Sequence, residues 1–554
     1  MRKLLTLGCL LLALPVLGVL GSWLALDAGA MATLRHQAST VLPGYALQSL
    51  LLALVVSVGV VLLGTATAAA VTLFQFPGRQ VFEWALLLPL AMPAYVLAYA
   101  WTDALQFSGP LQVGLRGALN LQGALWPDVR NLWGAAALFI LCLYPYVYLL
   151  TRAALGERAV QMMEAARMLG AGLRRRVLQV ALPLARPAIA AGLALALMET
   201  LADYGVGAYF GLATLSTGIF KAWLVMNDRV AAAQLASVLL IFVAVLLIAE
   251  RKAQHRLRFS TARGGDAGTA IVANNEARPT HLRGPHKWLA WAVCGLPVLL
   301  GFVLPVAWLL RMLWIEAVHA DFGLPLARFA LWAWASFKLA AIAAFLATLL
   351  ALALGYGLRQ RQGQGQGRAL QAAARLLSLG YAVPGGVVAV GVLLPMGWLQ
   401  SLYPGWPVAS LFTGTLLGLM VAYLARFSSV ALQSVEAGYA RLPMSIDESA
   451  RMLGGTPRRV FTQLHLPLLR RSAWAAGLLV FVDVMKELPA TLVLRPFGSD
   501  TLAVVAYNFA RDERLGEAAL PSLAIVLVGL IPVLMLSRAM RTVPTDDVRQ
   551  ASSA

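Results

Sequence analysis

The chain has 554 residues, of which 60% are hydrophobic and 12% charged, and its formal net charge is +19. Soluble domains carry about 25% charged residues, so disorder, collagen-like repeats, coiled coil and an ordinary soluble enzyme are excluded. Apolar runs of about 20 residues recur, as in a polytopic membrane protein, and the basic excess lies in short loops, where membrane topology rather than nucleic-acid binding places it.

Twelve apolar spans are predicted near 4–24, 47–74, 84–101, 132–151, 187–203, 231–249, 288–314, 332–357, 376–398, 410–432, 473–494 and 518–537. They must be helices, because lipid cannot satisfy an open backbone, and the strand-length alternation of a barrel is missing. Cys9 falls in the first run, which continues past it, so this segment reads as a membrane helix rather than a cleaved leader. Cys142 and Cys294 lie far apart in apolar segments and suggest no disulfide. With the N-terminus inside, Lys and Arg number 32 in the inside segments and 9 in the outside loops; Arg311, Lys338 and Lys486 fall in or beside spans. This asymmetry predicts cytoplasmic N- and C-termini. Trp23, Trp133, Trp288 and Trp398 sit near span ends and read as interface anchors. Residues 250–287 are polar, basic and rich in Gly, Asn and Pro, as expected of a cytoplasmic linker between halves 1–249 and 288–554.

A duplication organises the chain. Residues 164–186 read EAARMLGAGLRRRVLQVALPLAR and residues 448–470 read ESARMLGGTPRRVFTQLHLPLLR, identical at 13 of 23 positions with a constant offset of 284. Each copy follows the fourth span of its half, on the inside, so the halves are parallel. Glu164 and Glu448 open a short helix near its positive end. Gly170 and Gly454 can close it in a left-handed cap. Arg174, Arg175, Arg458 and Arg459 begin a second basic segment, and Pro183 and Pro467 mark the bend into the next span. Charge asymmetry alone explains the arginines but not the repeated Glu, Gly and Leu-Pro. The result is a rigid elbow, one per half.

The elbows resemble the EAA loop of ABC importer permeases: Glu164-Ala165-Ala166, Gly170 and Leu182-Pro183, then Glu448-Ser449-Ala450, Gly454 and Leu466-Pro467. The resemblance implies an all-α permease of the type I importer class, about twelve transmembrane helices in two six-helix halves. It also implies that each elbow docks one copy of a separate cytoplasmic ATPase through these residues. ATP and Mg would then reside in that partner, with no cofactor in this chain. No Gly-Lys pair occurs in the sequence, so a Walker A loop is missing. The fused layout, together with Met198–Gly205, Lys486–Leu492 and Asp512–Ala519, is similar to the ferric-iron permeases, and fused thiamine permeases share the layout. A bacterial inner-membrane location and a periplasmic solute-binding protein as second partner follow from the resemblance.

Ionised groups within spans are costly and point to function. Glu199, Asp203, Asp483 and Glu487 form two pairs, each four residues apart on one helix face. Carboxylates are hard oxygen ligands suited to ferric iron, so the four outline a pseudo-symmetric acidic path. Counted from Gly192 and Gly477, the pairs are out of register by one position. The other expectation for these acids is pairing with Lys486 or capping of helices. The outside loop 495–517 offers mixed charge for a binding protein, with Arg495, Arg511 and Arg514 as docking candidates. His465 is replaced by Ala181 in the first elbow, so no shared step requires it. An ion-coupled secondary transporter would need no elbow repeat and often has inverted halves. An intramembrane enzyme would need a catalytic constellation, and neither His-Glu-x-x-His nor Gly-x-Ser-x-Gly occurs.

Overall fold

The computed structural model describes residues 2–25, 28–156, 160–262, 280–282, 284–319, 324–360 and 368–540. Residues 263–279 of the expected linker lie outside the described residues. Twelve main helices follow in chain order: α1 (Arg2–Gly21), α2 (Leu42–Leu73), α3 (Ala94–Leu105), α4 (Leu132–Ala154), α5 (Leu182–Ala202), α6 (Arg229–Ala262), α7 (His286–His319), α8 (Leu326–Arg359), α9 (Gly385–Leu402), α10 (Leu417–Tyr439), α11 (Arg470–Lys486) and α12 (Leu515–Met540). Among the described residues ten helices are long and apolar enough to cross a membrane, and eleven if one bent pair counts as a span. The sole sheet among them is a two-residue parallel pairing of Phe74–Gln75 with Thr280–His281.

The shortfall from twelve has a local cause, proline. The span expected near 84–101 is two helices, Arg79–Ala91 and then α3, bent by 91°. Pro93 sits at the break in extended conformation (φ −60°, ψ 143°). Its counterpart near 376–398 breaks the same way at Pro384 (φ −55°, ψ 141°), between helix Arg368–Leu377 and α9. Proline has no N–H to give and keeps the preceding residue out of the helical region. The span near 473–494 stops at Glu487, and Pro489 starts a separate helix, Pro489–Leu494. The 17 residues of α11 rise about 25 Å, short of a bilayer core of about 30 Å. The span near 410–432 lies later in the chain, as α10, and Val408–Thr413 forms its own helix.

Each half is built on one triad, α2 and α5 against α4 and then α8 and α11 against α10. The halves repeat at the level of single bonds: Leu215 N donates to Ser49 Oγ (2.9 Å) and Leu502 N to Ser336 Oγ (2.8 Å), 166 residues apart in both cases. They also interlock, with α1 on α9, α7 on α3, and α12 on Arg79–Ala91. A Cβ on Gly391 of α9 would lie 2.0 Å from the Pro15 carbonyl of α1, so these backbones touch. Close approach of this kind replaces the missing hydrophobic drive between helices in lipid. Trp101 Nε1 donates to the Leu300 carbonyl (3.2 Å) and Trp308 Nε1 to Asp103 Oδ2 (2.9 Å), fastening α7 to α3. Trp133, Trp288 and Trp398 are exposed, as anchors would be. Trp23 instead donates to Ser237 Oγ (2.8 Å) and packs inside.

Candidate functional site

Both elbows close at their glycines as the sequence predicts, but only Glu448 lies in a first helical turn; Glu164 lies mid-helix, in the second turn of Val160–Met168. Helix Val160–Met168 ends at Gly170 (φ +80°) and helix Ser445–Met452 at Gly454 (φ +78°). Ala171 N donates to the Ala166 carbonyl (3.0 Å) and Gly455 N to the Ala450 carbonyl (2.9 Å), which closes each helix on its own last turn. Short helices Leu173–Arg176 and Pro457–Val460 follow, and a widened turn (Val177–Ala181, Phe461–His465) leads toward α5 and α11. Glu448 and Ser449 are exposed, as is Ala165, while Ala166 and Ala450 are half-buried. The side chain of Glu164 lies outside the described residues.

The sequence reading missed the apolar tip. Met168 and Leu169 are 90% and 88% exposed, and Met452 and Leu453 are 89% and 88% exposed. Two bare large apolar side chains beside each glycine form a surface to be covered by a partner. Their signal lay in the repeat itself, where Met-Leu-Gly recurs unchanged.

The elbows differ in what holds them. Asp447 is buried between Arg359 (Nη2–Oδ2 2.6 Å) and His465 (Nε2–Oδ1 2.7 Å). Arg359 also donates to the carbonyls of Tyr439, Leu442 and Pro443, and His465 Nδ1 meets the Tyr439 hydroxyl at 3.2 Å. At the same 284-residue offset the first elbow has Met163 and Ala181, both buried.

All four acids singled out by sequence line one cavity of about 160 Å3, where the halves meet. That volume holds on the order of ten waters. Glu199 and Asp483, and likewise Asp203 and Glu487, share the 284-residue offset of the elbows. Asp203 (φ −69°, ψ 131°) and Glu487 (φ −70°, ψ 121°) end α5 and α11 in the same conformation. The one-position mismatch expected from Gly192 and Gly477 therefore disappears: those glycines are not equivalent.

The two members of each pair do different work. Asp203 Oδ1 accepts from Val206 N (2.8 Å) and so caps helix Gly205–Tyr209. Glu487 accepts from Ala490 N and Thr491 N (2.9 Å each) and from Arg426 Nη1 (3.2 Å). Glu199 and Asp483 stand one helical turn before those caps and face the cavity, Asp483 with Lys486 Nζ at 3.6 Å. Among the described residues no three His, Cys, Asp or Glu side chains converge tightly enough to hold a metal ion. The acids line the cavity without converging on one point.

Arg426, not singled out by sequence, lies within α10 and lines the cavity. Its neighbours Ala425 and Phe427 are apolar, and no second charge at a fixed spacing marks it. Tyr95, Tyr146 and Tyr381 complete the polar lining, and the Tyr95 hydroxyl donates across the halves to the Lys486 carbonyl (3.3 Å).

On the face away from the elbows the halves meet again. The hydroxyls of Tyr204 and Tyr507 lie 3.2 Å apart, and Tyr204 stacks on Phe220 at 3.8 Å. Beyond them Arg130 forms a two-pronged pair with Glu513 (Nη1–Oε1 2.7 Å, Nη2–Oε2 3.0 Å), its guanidinium 5.0 Å above the Tyr209 ring. Arg130 holds the Glu513 carboxyl below its ordinary pKa through this hydrogen bond, and Glu513 raises that of Arg130. Glu513 takes a left-handed conformation (φ +62°), a turn position that few non-glycine residues occupy. No spacing in the sequence links residues 383 positions apart. The expected docking arginines are all engaged locally: Arg495 with Asp500, Arg511 with Asp512 (3.3 Å), Arg514 with Glu517 (2.5 Å). Nor is 495–517 a plain loop, because Leu502–Arg511 is a largely buried helix.

Residues 60–258 match the family described as binding-protein-dependent transport system inner membrane component. The chain is 24% identical over 493 residues to the Fe(3+)-transport system permease protein FbpB 2 of Haemophilus influenzae, covering 88% of each. It is 24% identical over 457 residues to the ferric transport system permease protein FbpB of Actinobacillus pleuropneumoniae, covering 80% of this chain and 63% of that one. Over 160 residues it is 30% identical to the putative 2-aminoethylphosphonate transport system permease protein PhnV of Salmonella typhimurium, 29% of this chain and 58% of that one. Two elbows, an all-helical membrane body and these matches lead to one conclusion: the chain is similar over most of its length to the binding-protein-dependent ABC transporter permeases, which are non-catalytic membrane subunits.

Proposed function

We propose that this permease carries ferric iron across the bacterial inner membrane, with N- and C-termini cytoplasmic. Halves 1–249 and 288–554, joined by 250–287, each present an elbow to one copy of a cytoplasmic ATPase. Glu164, Ala165, Ala166 and Gly170, with Glu448, Ser449, Ala450 and Gly454, frame the contacts, and Met168-Leu169 and Met452-Leu453 fill the partner's surface. A periplasmic binding protein delivers cargo at the opposite face, where Arg495, Arg511 and Arg514 lie. Closure of the ATPases pushes the elbows, and the halves rock about the central cavity.

The observation that carries this reading is the convergence of Glu199, Asp203, Asp483 and Glu487 from both halves on one cavity. Carboxylates and phenols are hard oxygen donors of the kind ferric iron prefers, and two relatives matched over most of this chain bear ferric names. A second reading is favoured by the presence of Arg426 and Lys486 in the same cavity: a small zwitterion such as the solute named for the Salmonella relatives. The test is uptake by a deletion strain complemented with this gene, following radiolabelled ferric iron, 2-aminoethylphosphonate and thiamine in parallel. The control is a Glu164→Ala/Glu448→Ala variant. Iron uptake restored by the wild type and lost in the control is expected. Restoration of another solute alone would replace iron, and uptake persisting in the control would remove the elbows from the mechanism.

A further inference from the structure

A cavity that passes a trivalent cation would be expected to hold negative charge alone. This one holds two cations as well, both within the membrane-spanning region, and neither is fully used. Arg426 has five N–H donors. Among the described residues its one hydrogen bond runs from Nη1 to Glu487 Oε1, at a long 3.2 Å, and its Nε is buried without a partner. Glu487 spends its own oxygens on Ala490, Thr491 and the Thr491 hydroxyl as well, so the guanidinium does not monopolise it. Lys486 stands 3.6 Å from Asp483, beyond hydrogen-bond distance. Both side chains line the same cavity as Glu199 and Asp203.

Buried N–H groups without acceptors are expensive. A guanidinium presents its donors in a planar fork that matches an oxyanion. The low dielectric of the site amplifies both effects: Arg426 and Lys486 repel a bare trivalent cation and offset part of the pull of the four acids. A solute carrying both signs satisfies the two sets of groups together.

We propose that Arg426, with Lys486 beside it, forms an oxyanion subsite of the cavity, so that cargo crosses as a mixed-charge species, a cation accompanied by a phosphate-like or carboxylate oxyanion. Glu199 and Asp483 face the cation and Arg426 the anion. This rests on the cavity being the route of the cargo, and it specifies the form in which iron travels. It also reconciles ferric and aminophosphonate relatives, since both cargoes would place an oxyanion beside a positive centre.

The test has two arms. In the first, the purified full-length chain in phospholipid-free maltoside micelles is titrated with inorganic phosphate by equilibrium dialysis with [32P]phosphate up to 20 mM. The wild type is expected to bind, Arg426→Gln at least tenfold more weakly, and Glu199→Gln as well as wild type or better. Because Arg426→Gln strands Glu487, the neutral pair Arg426→Gln/Glu487→Gln serves as a second variant that keeps a hydrogen-bonded partner for the short helix. No phosphate bound by the folded wild type, or equal binding by the folded neutral pair, overturns the subsite. Displacement of phosphate by added phosphatidylglycerol would assign the groups to a lipid headgroup and also overturn it. In the second arm, 55Fe uptake is measured in the complemented strain. Iron uptake by the wild type that falls tenfold in the neutral pair at equal membrane abundance is expected, and undiminished uptake overturns the proposal. If the wild type takes up no iron, the ferric reading fails while the phosphate arm still decides the subsite.

Discussion

Reversal of charge at one end of the Arg130–Glu513 pair should loosen the closed contact between the halves there, and a double exchange should restore it. Arg130 is 24% exposed and Glu513 60% exposed, so water screens the pair. An exposed ion pair contributes about 0.2–1 kcal/mol, and a guanidinium over a tyrosine ring adds about 0.5–1 kcal/mol. The pair therefore favours closure by about 1–2 kcal/mol, roughly a factor of 5–30 in the closed-to-open ratio. Arg130→Glu alone and Glu513→Arg alone should each raise the ATPase rate of the assembled importer several-fold in the absence of loaded binding protein. Arg130→Glu/Glu513→Arg should return within about twofold of wild type on this scale. A cross-link between Arg130→Cys and Glu513→Cys should arrest uptake until reduced; the three native cysteines are buried and stand aside. Single reversals that leave the resting ATPase rate unchanged, or a cross-linked chain that still transports, would refute the reasoning.

Other outcomes follow from the same geometry. Because Glu513 is held below its ordinary pKa, the pair is intact above the ordinary carboxylate value and is lost only as pH falls through the lowered one. The resting ATPase rate, corrected for the ATPase's own profile, should thus be flat from pH 8 to about 5. Met168→Ser/Leu169→Ser with Met452→Ser/Leu453→Ser should abolish co-purification of the ATPase yet leave the melting temperature unchanged, since these side chains are almost fully exposed among the described residues. Glu487→Gln should cost about 3 kcal/mol in stability, because it weakens two helix-capping bonds and unpairs Arg426. Glu199→Gln should cost less than about 1 kcal/mol but stop uptake; detergent melting curves beside uptake rates would separate the two. Gly391→Val should prevent folding, because the added side chain collides with the Pro15 backbone; normal membrane levels of that variant would contradict the crossing of α1 and α9.

The elbows were legible in the sequence because their logic is local. A left-handed glycine and a proline after the bend act within a few residues, and Gly170 and Gly454 adopt the conformation their spacing demands. The four acids were legible because ionisable residues stand out against apolar spans. Arg426 was not, since a single cation within a span has no partner in the repeat or at helical spacing to mark it. Pro93, Pro384 and Pro489 divide spans that composition alone treats as continuous: apolar content measures affinity for lipid, while proline decides whether the backbone can stay helical. The Arg130–Glu513 pair depends on how two halves lean together, which no local pattern encodes.

The buried Arg359–Asp447–His465 cluster makes the second elbow a welded joint, whereas the first rests on the plain apolar contacts of Met163 and Ala181. In a permease assembled from two copies of one half, such a difference could not arise, because any substitution would enter both joints at once. Fusion of the halves in one polypeptide frees each elbow to vary alone. If two like motor subunits press on the elbows, as proposed, they meet unequal levers, and an asymmetric stroke becomes a heritable property of a single gene.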